Sequence, residues 1–315
     1  VKQLKRLRQK YQKIGQLGWI GCFGAASCLI VSCAVSLSQT SSPPSPFLPV
    51  ATPVSPAAVR YKIYALPRAD AHVLTIPADG RFTIVPAVAA KTTQLETFAQ
   101  QQTIAVLNGG FFDPQNQQST SYMTIQGRQV ADPTQNQRLM SNPDLAAYLD
   151  KILNRSEFRH YQCGRQQRYA IALHRQPVPR DCQLLDALGA GPQLLPSLQL
   201  ETEGFTAIDA SGAVVRDALG SSQPNARTAV GITATGDVVW VMVAQKTGVT
   251  PSGITLPELT HFLQTLGAVS AINLDGGSSS ALFYQGKTIH GKLDAEGKLV
   301  IRPVKSVLLL QTSSQ

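Results

Sequence analysis

Residues 271–282, Ala-Ile-Asn-Leu-Asp-Gly-Gly-Ser-Ser-Ser-Ala-Leu, constrain this chain more than any other stretch. An apolar run delivers Asn273 and Asp275 into a turn at Gly276, Gly277 and Ser278, and a second apolar run leaves it. Two strands must therefore meet at a sharp polar corner. Glycine permits positive φ and close backbone approach, and successive N–H groups in such a turn form a nest that suits anions. Taken alone, the segment reads equally as a tight hairpin that contains Asp and Ser.

A second segment has the same design. The β-prone run Thr103 to Leu107 ends in Asn108, Gly109, Gly110, Phe111, Phe112, Asp113 and Pro114. A sugar site needs such parts: a flat apolar face beside amides and carboxylates. Asn-Gly by itself is an ordinary hairpin signal, and two adjacent aromatics are ordinary core. In a third segment, Asn225 to Ile232, Arg227 stands at the mouth of another strand. Its planar fork suits phosphate or carboxylate, or else a salt bridge to Asp275 or Asp113.

With Gly189-Ala190-Gly191-Pro192-Gln193-Leu194-Leu195, Gly253 to Leu259 and the ending Arg302-Pro303-Val304, these segments resemble the phosphodiester glycosidase family. They stand in the family's order, across about residues 60–315. The founding activity of that family removes N-acetylglucosamine from a mannose-6-phosphate diester. The resemblance implies a hydrolase acting on a sugar-1-phosphodiester or a related envelope glycan. One departure stands out: between Gln245 and Thr250, where many members carry an Arg, Lys246 is the only cation.

The net charge of +9 is misleading. Six basic residues precede position 14 and residues 14–59 carry no charge, so the remainder holds 22 basic against 19 acidic groups. With no basic stripe interleaved with aromatics, nucleic acid is not an expected partner. The expected organisation is a basic cytoplasmic segment over 1–13, an apolar segment over 14–37, a Pro- and Ser-rich linker over 38–59 and the enzymatic domain over 60–315. The apolar segment reaches bilayer-spanning length, and its basic flank favours the cytoplasm. A membrane anchor is the first reading. Lipoprotein processing at Cys33 and simple secretion after Ala34-Val35-Ser36 are alternatives. The domain then lies in the periplasm or outside the cell. Cys163 and Cys182 are its only cysteines, which makes them candidates for one disulfide, or else two buried thiols.

The body reads as α+β: a mixed, largely antiparallel sheet with packed helices. Ten strands are expected between Arg60 and Leu310, with a hairpin at Thr235-Gly236-Asp237. Two helices are expected, over Thr93–Gln101 and Leu256–Leu266; Thr255 and Glu258 have capping-box spacing at the start of the second. No Gly-x-Ser-x-Gly, His-Glu-x-x-His, P-loop or EF-hand pattern occurs. No cofactor is expected, although Asp and carbonyl oxygens leave a structural Ca²⁺ open. Glu258 and His261 have a metal-site spacing but stand alone.

Glycoside chemistry then assigns expected roles. Asp275 is the catalytic base or stabiliser, with Asp113 and Glu258 as second carboxylates. Arg227 holds the phosphate. Asn108 and Asn273 bind sugar hydroxyls or phosphate oxygens, Phe111 and Phe112 supply the apolar face, and Gly109, Gly110, Gly276, Gly277 and Ser278 supply backbone donors. Two other readings use the same residues: a non-catalytic envelope module that binds glycan, and a phosphodiesterase that breaks P–O rather than C–O.

Overall fold

The computed structural model describes residues 58–313. The segments 1–13 and 14–37, and nearly all of 38–59, lie outside the described residues. Among the described residues no helix is long and apolar enough to cross a membrane.

Three large antiparallel sheets and a two-stranded one, 206–208 with 214–217, build the fold, and they correct the expected α+β class. The protein is mostly β, with eighteen strands but only three α-helices among the described residues. Two of those helices are four residues long, Gln137–Met140 and Leu149–Ile152. The expected helix over Thr93–Gln101 is a short 3₁₀ turn, Leu95–Phe98. The preceding strand runs on to Thr93 and the next begins at Thr103, so too few residues remain for a stable helix. The antiparallel part of the expectation holds.

The first sheet has six strands in the spatial order 60–66, 69–76, 238–245, 227–233, 268–273 and 193–195. Its central strand Val238–Gln245 reads Val-Val-Trp-Val-Met-Val-Ala-Gln and is buried almost throughout. Side chains alternate across a strand, so Val238, Trp240 and Met242 join one core while Val239, Val241 and Val243 join another. The second core is closed by the helix Leu256–Thr265 through Leu256, Leu259 and Leu263. That helix starts as expected, with a complete capping box between Thr255 and Glu258, a device worth about 1 kcal/mol.

The second sheet has five strands in the order 287–290, 281–284, 103–108, 304–312 and 82–93. The third orders 128–131, 123–125, 182–189, 156–163 and 166–173. Both face the first sheet: Leu107, Leu308, Phe158 and Leu188 share one core with Leu74, Trp240 and Ile272. These sheets belong to the unit Ser55–Gln315. The Thr235-Gly236-Asp237 hairpin forms, with Ile232 paired to Val238.

The third sheet has unusual contents. In strand Ser156–Cys163 the buried residues include Glu157, Arg159 and His160. Arg159 donates to Glu157 at 2.8 Å and to the carbonyls of Leu173, His174 and Gln176, while His160 pairs with Asp186 at 2.9 Å. Buried charges survive when paired and hydrogen-bonded. At the end of this strand Cys163 faces Cys182 in register, and the two form a disulfide.

A covalent tie across a 19-residue separation stabilises by about 3 kcal/mol in the chain-entropy view. Non-reduced protein should show neither thiol open to alkylation by intact mass, and the Cys163→Ser, Cys182→Ser pair should unfold at a lower temperature. Full labelling of both thiols without reduction would contradict the bond.

Candidate active site

The glycine-rich corner at 274–280 is where the chain leaves the first sheet, at Asn273, and enters the second, at Ala281. The side chain of Asn108, fully buried, fastens this crossing. Its Nδ2 donates to the Asp275 carbonyl at 2.7 Å, and its Oδ1 accepts from Thr228 Oγ1 at 2.8 Å and from the Ala281 N–H at 3.0 Å. The Asp275 N–H in turn donates to the Gly109 carbonyl at 3.0 Å. The two motifs read separately from sequence are thus laced together, with the Asp275 backbone held on both sides. Asn108 is fully engaged in this lacing.

The Asp275 side chain is packed deeply but still reaches solvent. Burial pushes its carboxyl up to about 6, while the Ser279 hydroxyl, the Arg302 guanidinium and the Gly276 N–H pull in the opposite direction. Close by, three buried polar atoms make no well-formed hydrogen bond among the described residues: Asn273 Oδ1, Ser279 Oγ and Ser280 Oγ. Asn273 is otherwise fixed, its Nδ2 donating to the carbonyls of Gly191 and Leu274. Its free oxygen is an acceptor suited to a hydroxyl.

Arg302 is the residue that sequence reasoning missed. It was visible only as the start of the last strand. Its guanidinium lies 5.0 Å from the centre of the Phe112 ring, donates to Ser278 Oγ at 3.0 Å and acts electrostatically on Asp275. Lys292 stands near the same corner, donating to Asn225 Oδ1 at 3.0 Å, and Asn225 itself borders Gly277.

Arg227 has a different placement from the one expected. It packs beside Gly276, but its donors go to main-chain carbonyls: Leu219 at 3.0 Å, Gly220 at 2.7 Å, Gln223 at 3.0 Å and Ile254 at 3.3 Å. Burial lowers its pKa to about 10, against the pull of Asp217. The guanidinium thus holds the 219–223 loop to the sheet.

The expected second carboxylates are engaged elsewhere. Asp113 accepts from Arg138 Nε at 2.7 Å and from the Gln115 N–H. Burial raises it, but these partners outweigh burial and hold it below the ordinary value. Glu258 caps its helix and pairs with Arg68 at 2.6 Å; the Thr255 N–H and Arg68 hold it low. Lys246, at the position where the family pattern varies, is tied to the Leu66 carbonyl at 2.7 Å and to Asp70 at 3.1 Å.

Nor do the glycines offer free donors. The N–H of Gly109 and that of Gly110 go to Ser306, that of Gly276 to Asp275 Oδ1, and that of Gly277 to Ala226. They are needed as spacers instead. A Cβ on Gly110 would run into the Gly189 carbonyl. Gly277 has φ of +58°, in the left-handed region. The aromatic pair divides: Phe111 turns inward against Phe205, at 5.7 Å between ring centres, and Phe112 lies under Arg302. Among the described residues no group of three or more His, Cys, Asp or Glu side chains is placed to hold a metal ion.

No curated protein sequence matches the chain. Solved structures do. The catalytic domain of zebrafish N-acetylglucosamine-1-phosphodiester α-N-acetylglucosaminidase, auto-inhibited by its pro-peptide, aligns at a TM-score of 0.59 with 16% identity, over 83% of this chain and 86% of that one. A putative exported protein from Burkholderia pseudomallei aligns at 0.56 with 17% identity, over 77% and 74%. A hypothetical protein from Synechocystis aligns at 0.54 with 17% identity, over 81% of this chain; the alignment spans 62% of the Synechocystis chain. At such identity these likenesses establish the fold. The family model for phosphodiester glycosidases matches residues 101–311, about two thirds of the sequence and the whole of the laced corner. The chain belongs to the phosphodiester glycosidase family, a family of hydrolases.

Proposed function

We propose that the protein hydrolyses a sugar-1-phosphodiester at the C1–O bond, with Asp275 as the base and Arg302 as the phosphate-holding cation. The observation that carries this reading is the Asp275 carboxylate, held by its own backbone at a sheet junction, raised to about 6 and set beside Arg302. A catalytic base works best with a pKa near the working pH, whereas a pure binding module has no use for such tuning.

In the proposed step a water oxygen forms a bond to C1 as the bond from C1 to the phosphate oxygen breaks. The water proton passes to Asp275, and the phosphate leaves as an anion. A phosphate is stable without protonation, so a second carboxylate acting as acid is unnecessary. That fits the engagement of Asp113 and Glu258 elsewhere. Arg302 offsets the charge that develops on the leaving group, and Lys292 adds to the field. Asn273 Oδ1 and the Ser279 and Ser280 hydroxyls meet the sugar's polar groups. Phe112 offers its face at the same wall.

We also place the domain outside the cytoplasm. The Cys163–Cys182 bridge supports this, since such bonds persist in oxidising compartments. The apolar segment 14–37 then serves as the membrane anchor. A C-terminal reporter active only in the cytoplasm would overturn that topology.

With N-acetylglucosamine-1-phosphate methyl diester as the probe and ¹⁸O-labelled water, the label should appear in the sugar. Label in the phosphate would establish P–O cleavage instead. Asp275→Asn should lower kcat about 10²–10⁴-fold, and near wild-type turnover would remove Asp275 from its role.

The pH dependence follows from the direction of the shift. Asp275 must be ionised to act, so kcat/KM should fall as pH drops through about 6. For stability the sign is opposite. A carboxyl raised in the folded state favours folding fully below its unfolded pKa, and that contribution is lost as pH rises through about 6. Asp275→Asn should therefore raise the melting temperature at pH 8 more than at pH 4.

Arg302→Ala should lower kcat/KM about 10²–10³-fold. It should also move the acid limb above that of the parent enzyme, because Arg302 pulls Asp275 down. An unmoved limb would separate the two residues.

A further inference from the structure

The turn 199–205 carries two glutamates with opposite placements. Glu201 is exposed, while Glu203 is 1% exposed and keeps its carboxylate among hydrogen-bond donors. Its Oε1 accepts from the Gln193 N–H at 2.7 Å and from Ser156 Oγ at 2.8 Å, and its Oε2 accepts from the Ser156 N–H at 2.9 Å. Ser156 opens a strand of the third sheet and Gln193 opens one of the first. One carboxylate therefore joins two sheets. Arg155 supplies the counter-charge. Its Nε donates to the Glu203 carbonyl at 3.0 Å, and its guanidinium lies 3.7 Å from the centre of the Phe205 ring. Burial raises the Glu203 carboxyl, and Gln193, Ser156 and Arg155 pull it back.

The segment that this carboxylate holds is the one that holds Asn273. Gly191 and Pro192 directly precede Gln193 and share three hydrogen bonds with Asn273, each 3.0 Å long. The Gly191 N–H donates to the Asn273 carbonyl, the Asn273 N–H donates to the Pro192 carbonyl, and Asn273 Nδ2 donates to the Gly191 carbonyl. Glu203 also lies close against Gly191, where a Cβ would run into Oε2. Residues 191–193 are thus tied to the carboxylate and to Asn273 at once. Asn273 Oδ1, which makes no hydrogen bond among the described residues, takes its direction from these ties. A buried ion is a costly fastener. Apolar side chains of similar volume often hold two segments as well or better, so stability alone does not account for Glu203. A carboxylate adds direction, because it only accepts and each oxygen fixes the line of the N–H that it receives.

We propose that Glu203 is a positioning residue for the reacting site, one that sets the direction of Asn273 Oδ1 through the Gln193 N–H and the Gly191-Pro192 segment. The proposal rests on the reading of Asn273 as a sugar contact in the reaction assigned to Asp275. Under it, a residue that touches no substrate governs how well the sugar is held.

Glu203→Met nearly keeps the volume and leaves the Gln193 N–H without its acceptor. With the N-acetylglucosamine-1-phosphate methyl diester it should raise KM about tenfold and leave kcat within about twofold, because Asn273 meets a hydroxyl present in substrate and transition state alike. A merely loosened fold would lose active enzyme instead, lowering kcat at unchanged KM. Glu203→Gln, whose amide oxygen can still accept from Gln193, should return KM to within about threefold of the parent. In an Asn273→Ala background, Glu203→Met should change kcat/KM by less than about twofold, since the two residues act along one path. A second measurement needs no turnover: the side-chain amide signals of Asn273, followed by NMR, should shift in Glu203→Met and return in Glu203→Gln. Where Glu203→Met does not fold, Glu203→Asp, one methylene shorter, takes its place, and failure of both to fold makes Glu203 a folding residue and overturns the proposal. An unchanged KM, no recovery in Glu203→Gln, additive effects in the Asn273→Ala background or unmoved Asn273 signals would each do the same. Moved signals in a protein that hydrolyses no diester would keep the positioning role and overturn the reaction assigned to Asp275.

Discussion

One carboxamide holds the site together. Asn108 stands at the end of a strand in one sheet, bonds to a threonine of another, and grips the main chain at both Asp275 and Ala281, on either side of the corner between them. A buried amide left with unmatched groups costs about 1–3 kcal/mol for each, so no other side chain replaces it cheaply. The Asp275 carboxylate can then be destabilised by burial without moving away, because its position is set by the backbone. The raised pKa and the rigid corner are two results of the same arrangement.

The sheets supply the stiffness that this arrangement needs. Strand 238–245 has cores on both faces; its neighbour 227–233 carries Thr228 to the junction, and strand 268–273, next beyond, carries Asn273. Polar groups at strand ends on such a frame are held with little freedom. Arg227 contributes as well, binding the 219–223 loop through three of its carbonyls and Ile254 through a fourth. Its loss would be felt first in the order of that loop.

The strands at Asn108, Arg227 and Asn273 were legible because each is an apolar run bounded by a polar residue, Arg227 at its start and the two asparagines at their ends. Residue type, however, does not give side-chain direction. Arg227 and Arg302 look alike in sequence, yet one turns into the main chain and the other lies over Phe112 beside Asp275. The glycines were legible as special positions, but their N–H groups serve the protein. The third sheet was largely hidden. Its strand Ser-Glu-Phe-Arg-His-Tyr-Gln-Cys has the composition of a surface segment, and only the internal pairing of Glu157, Arg159, His160 and Asp186 permits its burial. Strand 156–163 and its neighbour 182–189 were not among the ten expected strands, which is why the β content was underestimated.

The contact between Gly110 and Gly189 joins two backbones with no side chain between them. Elsewhere a displaced strand is cushioned by rotamer changes; here there is nothing to deform. Strand 182–189 is also pinned at its opposite end by the Cys163–Cys182 bridge. The strand therefore acts as a strut, fixed at one end by a covalent bond and bearing at the other on the loop that carries Phe111 and Phe112. Substitutions along it are a route by which the placement of Phe111 and Phe112 can drift while the corner at Asp275 keeps its geometry.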